Sequence, residues 1–168
     1  MKDKSMTFRM CKAIMTLPLP VCVIIPSLLL YFSDWAFGDT PLWGILCGAV
    51  CFIVGIVLAV QTIRLFYKLG KGTLAPWDPT NKLIVTGPYA YMRNPMISGV
   101  LLILAGESLM LASCAIGIWA VVFLIINMIY FPLSEEPALR KRFGKEYDEY
   151  CQNVPRYIPR LKPWIPKC

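Results

Sequence analysis

The stretch "MISGVLLILAGESLMLASCAIGIWAVVFLIINMIYFPL", residues 96–133, decides the fold class, because Glu107 is its only charged residue. Two apolar segments, 96–112 and 114–133, follow each other with hardly any residues between them. Each approaches the ~20 residues that a helix needs to cross a hydrocarbon layer, although the first is short. We therefore predict a tight helical hairpin over about residues 96–133.

Two further apolar segments precede this hairpin, at 17–32 and at 42–65. The first is interrupted by Pro18, Pro20 and Pro26, and this pattern argues for a retained span rather than a cleaved signal peptide. A chain of 168 residues that is 57% hydrophobic and 16% charged is too apolar for a soluble domain. The sequence predicts one all-α, polytopic membrane domain over 1–168, with about four transmembrane helices.

Lysine and arginine residues all fall on one side of these segments. They precede the first segment, lie at or between the second and third, and follow the fourth, while residues 33–41 and 112–114 hold none. The positive-inside rule then places both termini and the loops 66–95 and 134–168 in the cytoplasm. The net charge of +7 therefore reflects topology, and we expect a lipid bilayer rather than a nucleic acid as partner.

The cysteine and histidine content indicates that no metal is bound. The seven cysteines are scattered without a Cys-x-x-Cys pair, and histidine is absent from the sequence. Structural zinc and histidine-ligated iron need such ligands. We predict no metal site, and a monomer.

The stretch "GPYAYMRNP", residues 87–95, stands directly before the hairpin. The density of glycine and proline over 70–95 predicts an ordered loop rather than a helix. Asn94 is expected to cap the third helix and Pro95 to occupy its first position. Arg93 and the tyrosines also suit a membrane interface, so a structural lip and a binding loop are both open.

A second cluster, residues 131–150, follows the hairpin. Glu135 and Glu136 are either ligands or first-turn acids of a helix that Ser134 caps and Pro137 begins. Beyond them, four apolar residues recur at spacings of four, three and four, which predicts an amphipathic cytoplasmic helix lying in the membrane interface. These residues are Phe143, Tyr147, Tyr150 and Val154.

Polar residues inside the hairpin are further candidates. Glu107 lies near the far turn, where we expect a packing role as a protonated or hydrogen-bonded group. Asn127 falls level with Ser98, so the pair could form the floor of a pocket that opens to the cytoplasm. An interhelical hydrogen bond is the alternative.

Two motifs, "GPYAYMRNP" and "EEPALRKRFGKEYDEYCQNVPRYIP", stand on either side of a membrane hairpin. Together they resemble the isoprenylcysteine carboxyl methyltransferase and phospholipid methyltransferase superfamily over about residues 83–159. The usual pattern has Gly-x-Tyr and Arg-His-Pro before the hairpin, and a Glu pair, spaced tyrosines and Val-Pro after it. The resemblance implies an integral membrane methyltransferase that uses S-adenosylmethionine without a Rossmann domain.

By position, the resemblance implies a cofactor site formed by Leu83, Ile84, Tyr89, Asn94, Pro95 and Glu135. It marks Arg93 and Glu136 as catalytic candidates. Phe131 would face the substrate by the same resemblance, and Ser98 and Asn127 by their place at the predicted pocket floor. Two positions depart from the pattern: Asn94 replaces the usual histidine, and Phe131 stands where eukaryotic isoprenylcysteine enzymes place an arginine.

The chemistry of S-adenosylmethionine suits these residues. The amino terminus of a helix at Asn94–Pro95 favours the cofactor carboxylate, Glu135 can pair with its ammonium group, and tyrosines can stack on its sulfonium. A carboxylate acceptor needs no general base, so the absence of histidine favours an isoprenylcysteine-like carboxylate over an amine. A phospholipid or amine N-methyltransferase, an NADPH-dependent sterol or lipid reductase and a non-enzymatic scaffold remain as alternatives.

Overall fold

The computed structural model describes residues 8, 12, 15, 18–32, 40–70 and 82–166. Its regular structure in these ranges is helical, without a strand, which confirms the predicted all-α class. The main helices of the described ranges are α1 (Pro20–Phe32), α2 (Leu42–Leu65), α3 (Pro95–Met110), α4 (Cys114–Tyr130), α5 (Glu136–Phe143) and α6 (Lys145–Asn153).

Two helices are long and apolar enough to cross a membrane. They are Leu42–Leu69, with a mean hydropathy of 2.6, and Cys114–Phe143, with a mean hydropathy of 2.3. Both expose large aliphatic side chains, among them Ile53 and Ile125, as a bilayer-facing surface requires. By length and composition, both helices are compatible with a membrane protein. Helices α1 and α3 are apolar but shorter, so the count of four spans stays a prediction.

Helices α2 and α3 pack closely and antiparallel through two pairs of glycines. A Cβ atom on Gly55 would lie 2.7 Å from the carbonyl oxygen of Gly99, and one on Gly106 would lie 2.7 Å from that of Gly48. Within each helix the two glycines are one heptad apart, so they share a face. Small residues on such a face let two helix backbones touch, which is how helices associate in lipid.

The predicted hairpin is confirmed, with a turn of three residues between α3 and α4. Ser113 caps α4, because its Oγ accepts a hydrogen bond from the amide of Ile116 at 3.4 Å. Ser108 Oγ donates to the carbonyl oxygen of Ser113 at 2.9 Å and closes the turn from the other side. Glu107, one residue before Ser108, has a buried Oε2 without a hydrogen-bond partner in the described part of the chain.

The prolines of the first segment do not end α1 but change its hydrogen bonding. Residues Pro20–Ile24 form a π-helical turn in which the amide of Ile25 donates to the carbonyl oxygen of Pro20. In this register the carbonyl of Val21 faces Pro26, which has no N–H. The indole Nε1 of Trp119 donates to that carbonyl at 3.1 Å and joins α1 to α4.

Another π-helical turn, Phe131–Glu135, carries α4 into α5 without a break. The amide of Glu136 donates to the carbonyl oxygen of Phe131, which accommodates Pro132 and its missing N–H. The expected cap at Ser134 is therefore wrong, because no helix begins there. Pro137 does lie in the first turn of α5, as predicted. The helix is interrupted at Gly144, between α5 and α6, and its φ of 54° is a backbone angle that suits glycine.

The apolar stripe of the carboxy-terminal region is buried in protein. Tyr147, Tyr150 and Val154 are only 3%, 3% and 1% exposed. They pack against residues that include Leu83 and Trp164, so the stripe forms a small core with the loop before α3. The prediction that it lies in the membrane interface is wrong, because the pattern marks an apolar face but not what covers it.

Candidate active site

A cavity of about 450 Å³ opens where the loop before α3, the α3–α4 hairpin and helices α5 and α6 meet. Eight of the eleven predicted site residues line it. They are Leu83, Ile84, Tyr89, Arg93, Asn94, Asn127, Phe131 and Glu135. Residues from both sides of the hairpin therefore line one cavity, and their role as a site stays a prediction.

The other three predicted residues do not line this cavity. Pro95 is fully buried at the first position of α3. Ser98 Oγ donates to the carbonyl oxygens of Asn94 at 3.3 Å and Tyr157 at 3.4 Å. The prediction that Ser98 and Asn127 together form the floor of the pocket is therefore wrong in the case of Ser98. Asn127 does line the cavity, with its Nδ2 donating to the carbonyl oxygen of Phe123 at 2.8 Å.

Glu136, the third, is held between two arginines beside the cavity. Its Oε1 accepts from Nη1 of Arg93 at 3.1 Å and from Nη2 of Arg156 at 2.6 Å. Nε of Arg156 donates to the same oxygen at 2.9 Å, and Glu136 is only 7% exposed. A buried carboxylate needs such partners. Its position indicates that Glu136 fixes Arg93 rather than touching a ligand.

Arg93 retains an unused donor. Its Nη1 binds Glu136 and also lies 2.9 Å from Sγ of Cys151, but its Nε is buried without a hydrogen-bond partner among the described residues. An unpaired buried donor is costly, and Arg93 borders the cavity. The two arginines and Glu136 together keep one net positive charge. This wall of the cavity therefore fits an anionic group such as a carboxylate.

The loop before α3 is clamped by the tail that follows α6. Four backbone hydrogen bonds join the two segments: Arg93 N to Pro155 O (2.9 Å), Asn94 N to Arg156 O (3.1 Å), Arg160 N to Tyr91 O (3.0 Å) and Trp164 N to Ala90 O (2.9 Å). The side chain of Asn94 makes no capping hydrogen bond, so its predicted capping role is wrong. Its backbone amide donates to the carbonyl oxygen of Arg156 in the tail instead.

Glu135 and Tyr89 form another wall of the cavity. Burial, and then the neighbouring Glu136, raise the pKa of the Glu135 carboxyl to about 7. Burial, followed by Tyr150 and Glu135, keeps the pKa of the Tyr89 hydroxyl well above its usual value, so that it remains a donor. Tyr150 supports Tyr89 from behind, because its hydroxyl donates to the carbonyl oxygen of Tyr89 at 2.7 Å. A cation beside Glu135 would restore its charge.

Several lining residues lie outside the predicted site. The stripe residues Phe143, Tyr147 and Tyr150 line the cavity from α5 and α6, and their spacing is visible in the sequence although their partner is not. The apolar end is lined by residues that carry no motif, Val21, Val100 and Phe123. In the described ranges, no group of three or more histidine, cysteine or acidic residues is placed to hold a metal.

The sequence of this chain is similar to one protein family and to several plant proteins. The family described as phospholipid methyltransferase matches residues 43–146. Protein-S-isoprenylcysteine O-methyltransferase B of Arabidopsis thaliana is 28% identical over 130 residues, 76% of this chain and 61% of that protein. Probable protein-S-isoprenylcysteine O-methyltransferases of Oryza sativa subsp. indica and subsp. japonica are each 34% identical over 89 residues, 51% of this chain and 45% of theirs.

No solved structure matches this chain. The aligned region spans less than two thirds of each of these plant proteins. The family match, by contrast, covers more than half of this chain, from the start of α2 to the start of α6, and includes the hairpin with Arg93 and Glu135 on its two sides. The chain belongs to the isoprenylcysteine carboxyl methyltransferase and phospholipid methyltransferase superfamily.

Proposed function

We propose that this protein transfers a methyl group from S-adenosylmethionine to a lipophilic acceptor, most simply the carboxylate of an isoprenylcysteine-like molecule. The observation that carries the proposal is one continuous cavity with two ends of different character. Arg93, Tyr89 and Glu135 line its polar end, and Val100 and Phe123 line its apolar end. Such a cavity suits a charged cofactor and an apolar acceptor that meet inside it.

The residues of the polar end fit the cofactor. The positive charge of Arg93 suits its carboxylate, and Glu135 suits its ammonium group. The first intrahelical hydrogen bond of α3 runs from the amide of Ser98 to the carbonyl oxygen of Asn94. The amides of Met96 and Ile97, which come before it, therefore have no acceptor within the helix and suit the same carboxylate. When bound, the cofactor supplies a methyl group on a sulfonium, and transfer to a carboxylate yields an ester and neutral S-adenosylhomocysteine.

The chain's own contribution to this reaction is alignment and exclusion of water. Tyr89, Phe66 and Tyr150 enclose the polar end, with the Phe66 and Tyr89 rings 5.8 Å apart. In a dry site, neutralisation of an anionic acceptor by a cationic donor is favoured. Glu135, with its pKa near 7, is the one lining carboxyl group among the described residues. An amine acceptor would have to lose a proton to that group, whereas a carboxylate would not.

The orientation in the membrane belongs to the same proposal. The distribution of Lys and Arg favours both termini and the polar end of the cavity on the cytoplasmic side. The cofactor would then arrive from water and the acceptor from the bilayer. Helices α1 and α3, although short, would complete a four-span bundle.

The experiment has two arms, both on full-length protein in lipid nanodiscs. In the first, S-adenosylhomocysteine is expected to raise the thermal unfolding temperature and NADPH is not, because ligands that bind only the folded state stabilise it. In the second, tritiated methyl transfer is measured to an S-farnesylcysteine analogue and to phosphatidylethanolamine. Methylation of the first alone supports the carboxylate acceptor, and methylation of the second alone makes the protein a phospholipid N-methyltransferase.

Glu135→Gln is the informative variant, because it removes the charge and keeps the shape. We expect S-adenosylhomocysteine to bind at least tenfold more weakly to it. Glu149→Gln, on the exposed surface of α6, is the matched control and should bind as the unmodified protein does. Unchanged binding by Glu135→Gln would remove Glu135 from the cofactor site, and stabilisation by NADPH alone would replace the methyltransferase with a reductase.

A further inference from the structure

We infer that Val21, Phe123 and Trp119 form a floor that limits how long the apolar chain of the methyl acceptor can be. This inference rests on the proposed function, since it concerns the acceptor end of the same cavity. Val21 and Phe123 line that end directly. Trp119 lies one helical turn below Phe123 on α4, with the two ring centroids 6.4 Å apart.

The apolar end of the cavity, between Phe131 and the floor, forms a chamber whose depth follows from helix geometry. Phe131, Asn127 and Phe123 all line the cavity, and each lies four residues from the next along one face. At ~1.5 Å per residue, the distance from Phe131 to Phe123 along the helix is roughly 12 Å. The chamber therefore accommodates a limited length of extended chain between the polar end and the floor.

Below Phe123 the structure is a packed core. Leu104 and Ile116 are completely buried there. Val21, Trp119 and Phe123 pack against this cluster from α1 and α4. A close-packed core yields little to an inserted chain, because overpacking displaces many neighbours at once. A chain that reaches the floor cannot continue along the helix axis.

The floor is fixed in place by the prolines of α1. Pro26 leaves the carbonyl of Val21 without a helical donor, and Trp119 supplies one at 3.1 Å. Separation of α1 from α4 at this level would leave that carbonyl unpaired in an apolar environment, which is costly. The hydrogen bond therefore holds α1 against α4 at the level of the floor.

The expected specificity is a cut-off rather than a gradual preference. An acceptor that arrives from the bilayer already has its chain in an apolar medium, so each added methylene gains little on entering the chamber. Steric rejection at the floor is the remaining effect of length. We expect kcat/KM to stay nearly level along a series of acceptors with increasing chain length and then to fall at least tenfold.

The test measures methyl transfer to S-alkylcysteine acceptors of increasing chain length by full-length protein in nanodiscs. Phe123→Ala should move the cut-off to longer chains, and Val21→Phe should move it to shorter ones. Trp119→Phe keeps an aromatic ring but loses the hydrogen bond, so it should relax the cut-off even if Phe123→Ala fails to fold. Ile125→Ala, on the exposed face of α4, is the matched control and should not move it.

The two failures can be told apart. A cut-off at the same length in the unmodified protein and all three floor variants, or no cut-off at all, would overturn the inference and leave the proposed function standing. Absence of transfer from the unmodified protein to every acceptor would overturn the proposed function and the inference with it. Opposite shifts in Phe123→Ala and Val21→Phe would establish the floor.

Discussion

Oε1 of Glu136 lies 2.6 Å from Nη2 of Arg156, which ties the carboxy-terminal tail to the start of α5. The same oxygen accepts from Arg93 in the loop before α3, 3.1 Å away. One carboxylate thus joins three segments that are far apart in sequence. Because the site's arginine is among them, the tail is part of the site's support and not an appendage.

Replacement of Glu136 by glutamine should destabilise the protein strongly. Removing one partner from a buried ion network leaves the other charges uncompensated, which costs about 3–5 kcal/mol in soluble proteins. Thermal unfolding in detergent would report the loss as a fall of several degrees. Asp148→Asn, which breaks the exposed pair between Arg140 and Asp148, is the control and should leave the unfolding temperature unchanged. Equal effects of the two variants would contradict the assigned role.

The close approach of α2 and α3 predicts a sharp difference between two glycines of α2. A Cβ on Gly55 would lie 2.7 Å from the carbonyl oxygen of Gly99 and 2.8 Å from the backbone nitrogen of Ile103. Backbone atoms cannot move aside easily, so Gly55→Ala should separate the helices and cost about 1–3 kcal/mol. A Cβ on Gly44 meets its nearest atoms at an ordinary 3.6 Å.

Gly44→Ala is therefore the matched control, and we expect its unfolding temperature to equal that of the unmodified protein or to exceed it slightly. Both variants would be measured by thermal unfolding in the same detergent. A Gly55→Ala protein as stable as Gly44→Ala would show that α2 and α3 can separate without loss, against the packing described.

Tyr150→Phe tests the support behind Tyr89. The change removes one hydroxyl, which donates to the carbonyl oxygen of Tyr89 at 2.7 Å, and leaves that oxygen without this donor. We expect a loss of about 1–3 kcal/mol in the free energy of unfolding and weaker binding of S-adenosylhomocysteine. Tyr67→Phe, at an exposed position after α2, should change neither quantity. Calorimetric titration with S-adenosylhomocysteine gives the affinity and the enthalpy of binding.

The fold class, the hairpin and eight of the residues that line the cavity could be predicted from the sequence, because each depends on a local pattern. Hydrophobic length gives the helices, and the Gly-Pro density of 70–95 gives the loop, of which residues 82–94 are described. The motif order brought Glu135 and Asn94 together, and both line one cavity. These features need no knowledge of which distant segments touch.

The errors concern contacts between distant segments. The tyrosine stripe of α6 was visible, but an apolar face looks the same whether lipid or protein covers it. The backbone amides of Arg93 and Asn94 donate hydrogen bonds to carbonyl oxygens of the tail. The sequence could not predict these bonds, because every residue carries the same backbone groups. Asn94 fits a cap by residue type, yet its side chain makes no capping bond.

The raised pKa of Glu135 predicts a pH dependence of ligand binding. At pH 8 the carboxyl is charged and ready to pair with the ammonium group of S-adenosylhomocysteine, whereas at pH 6 it must first lose a proton. With a pKa of about 7 in the unliganded protein, the affinity should fall about tenfold from pH 8 to pH 6. Binding at pH 7 should also release protons, which calorimetry in buffers of different ionisation enthalpy would detect.

The same carboxyl links pH to stability, and here the sign is opposite to that of a carboxylate in an ion pair. Its pKa is higher in the folded protein, about 7, than the ordinary 4.5, so the folded state binds more protons between these values. Its contribution to the free energy of unfolding is fully present below about pH 4.5 and is lost as pH rises through 7. Glu135→Gln should thus raise the unfolding temperature at pH 8 while abolishing the pH dependence of binding. A variant that loses both affinity and stability at pH 8 would show that Glu135 is structural.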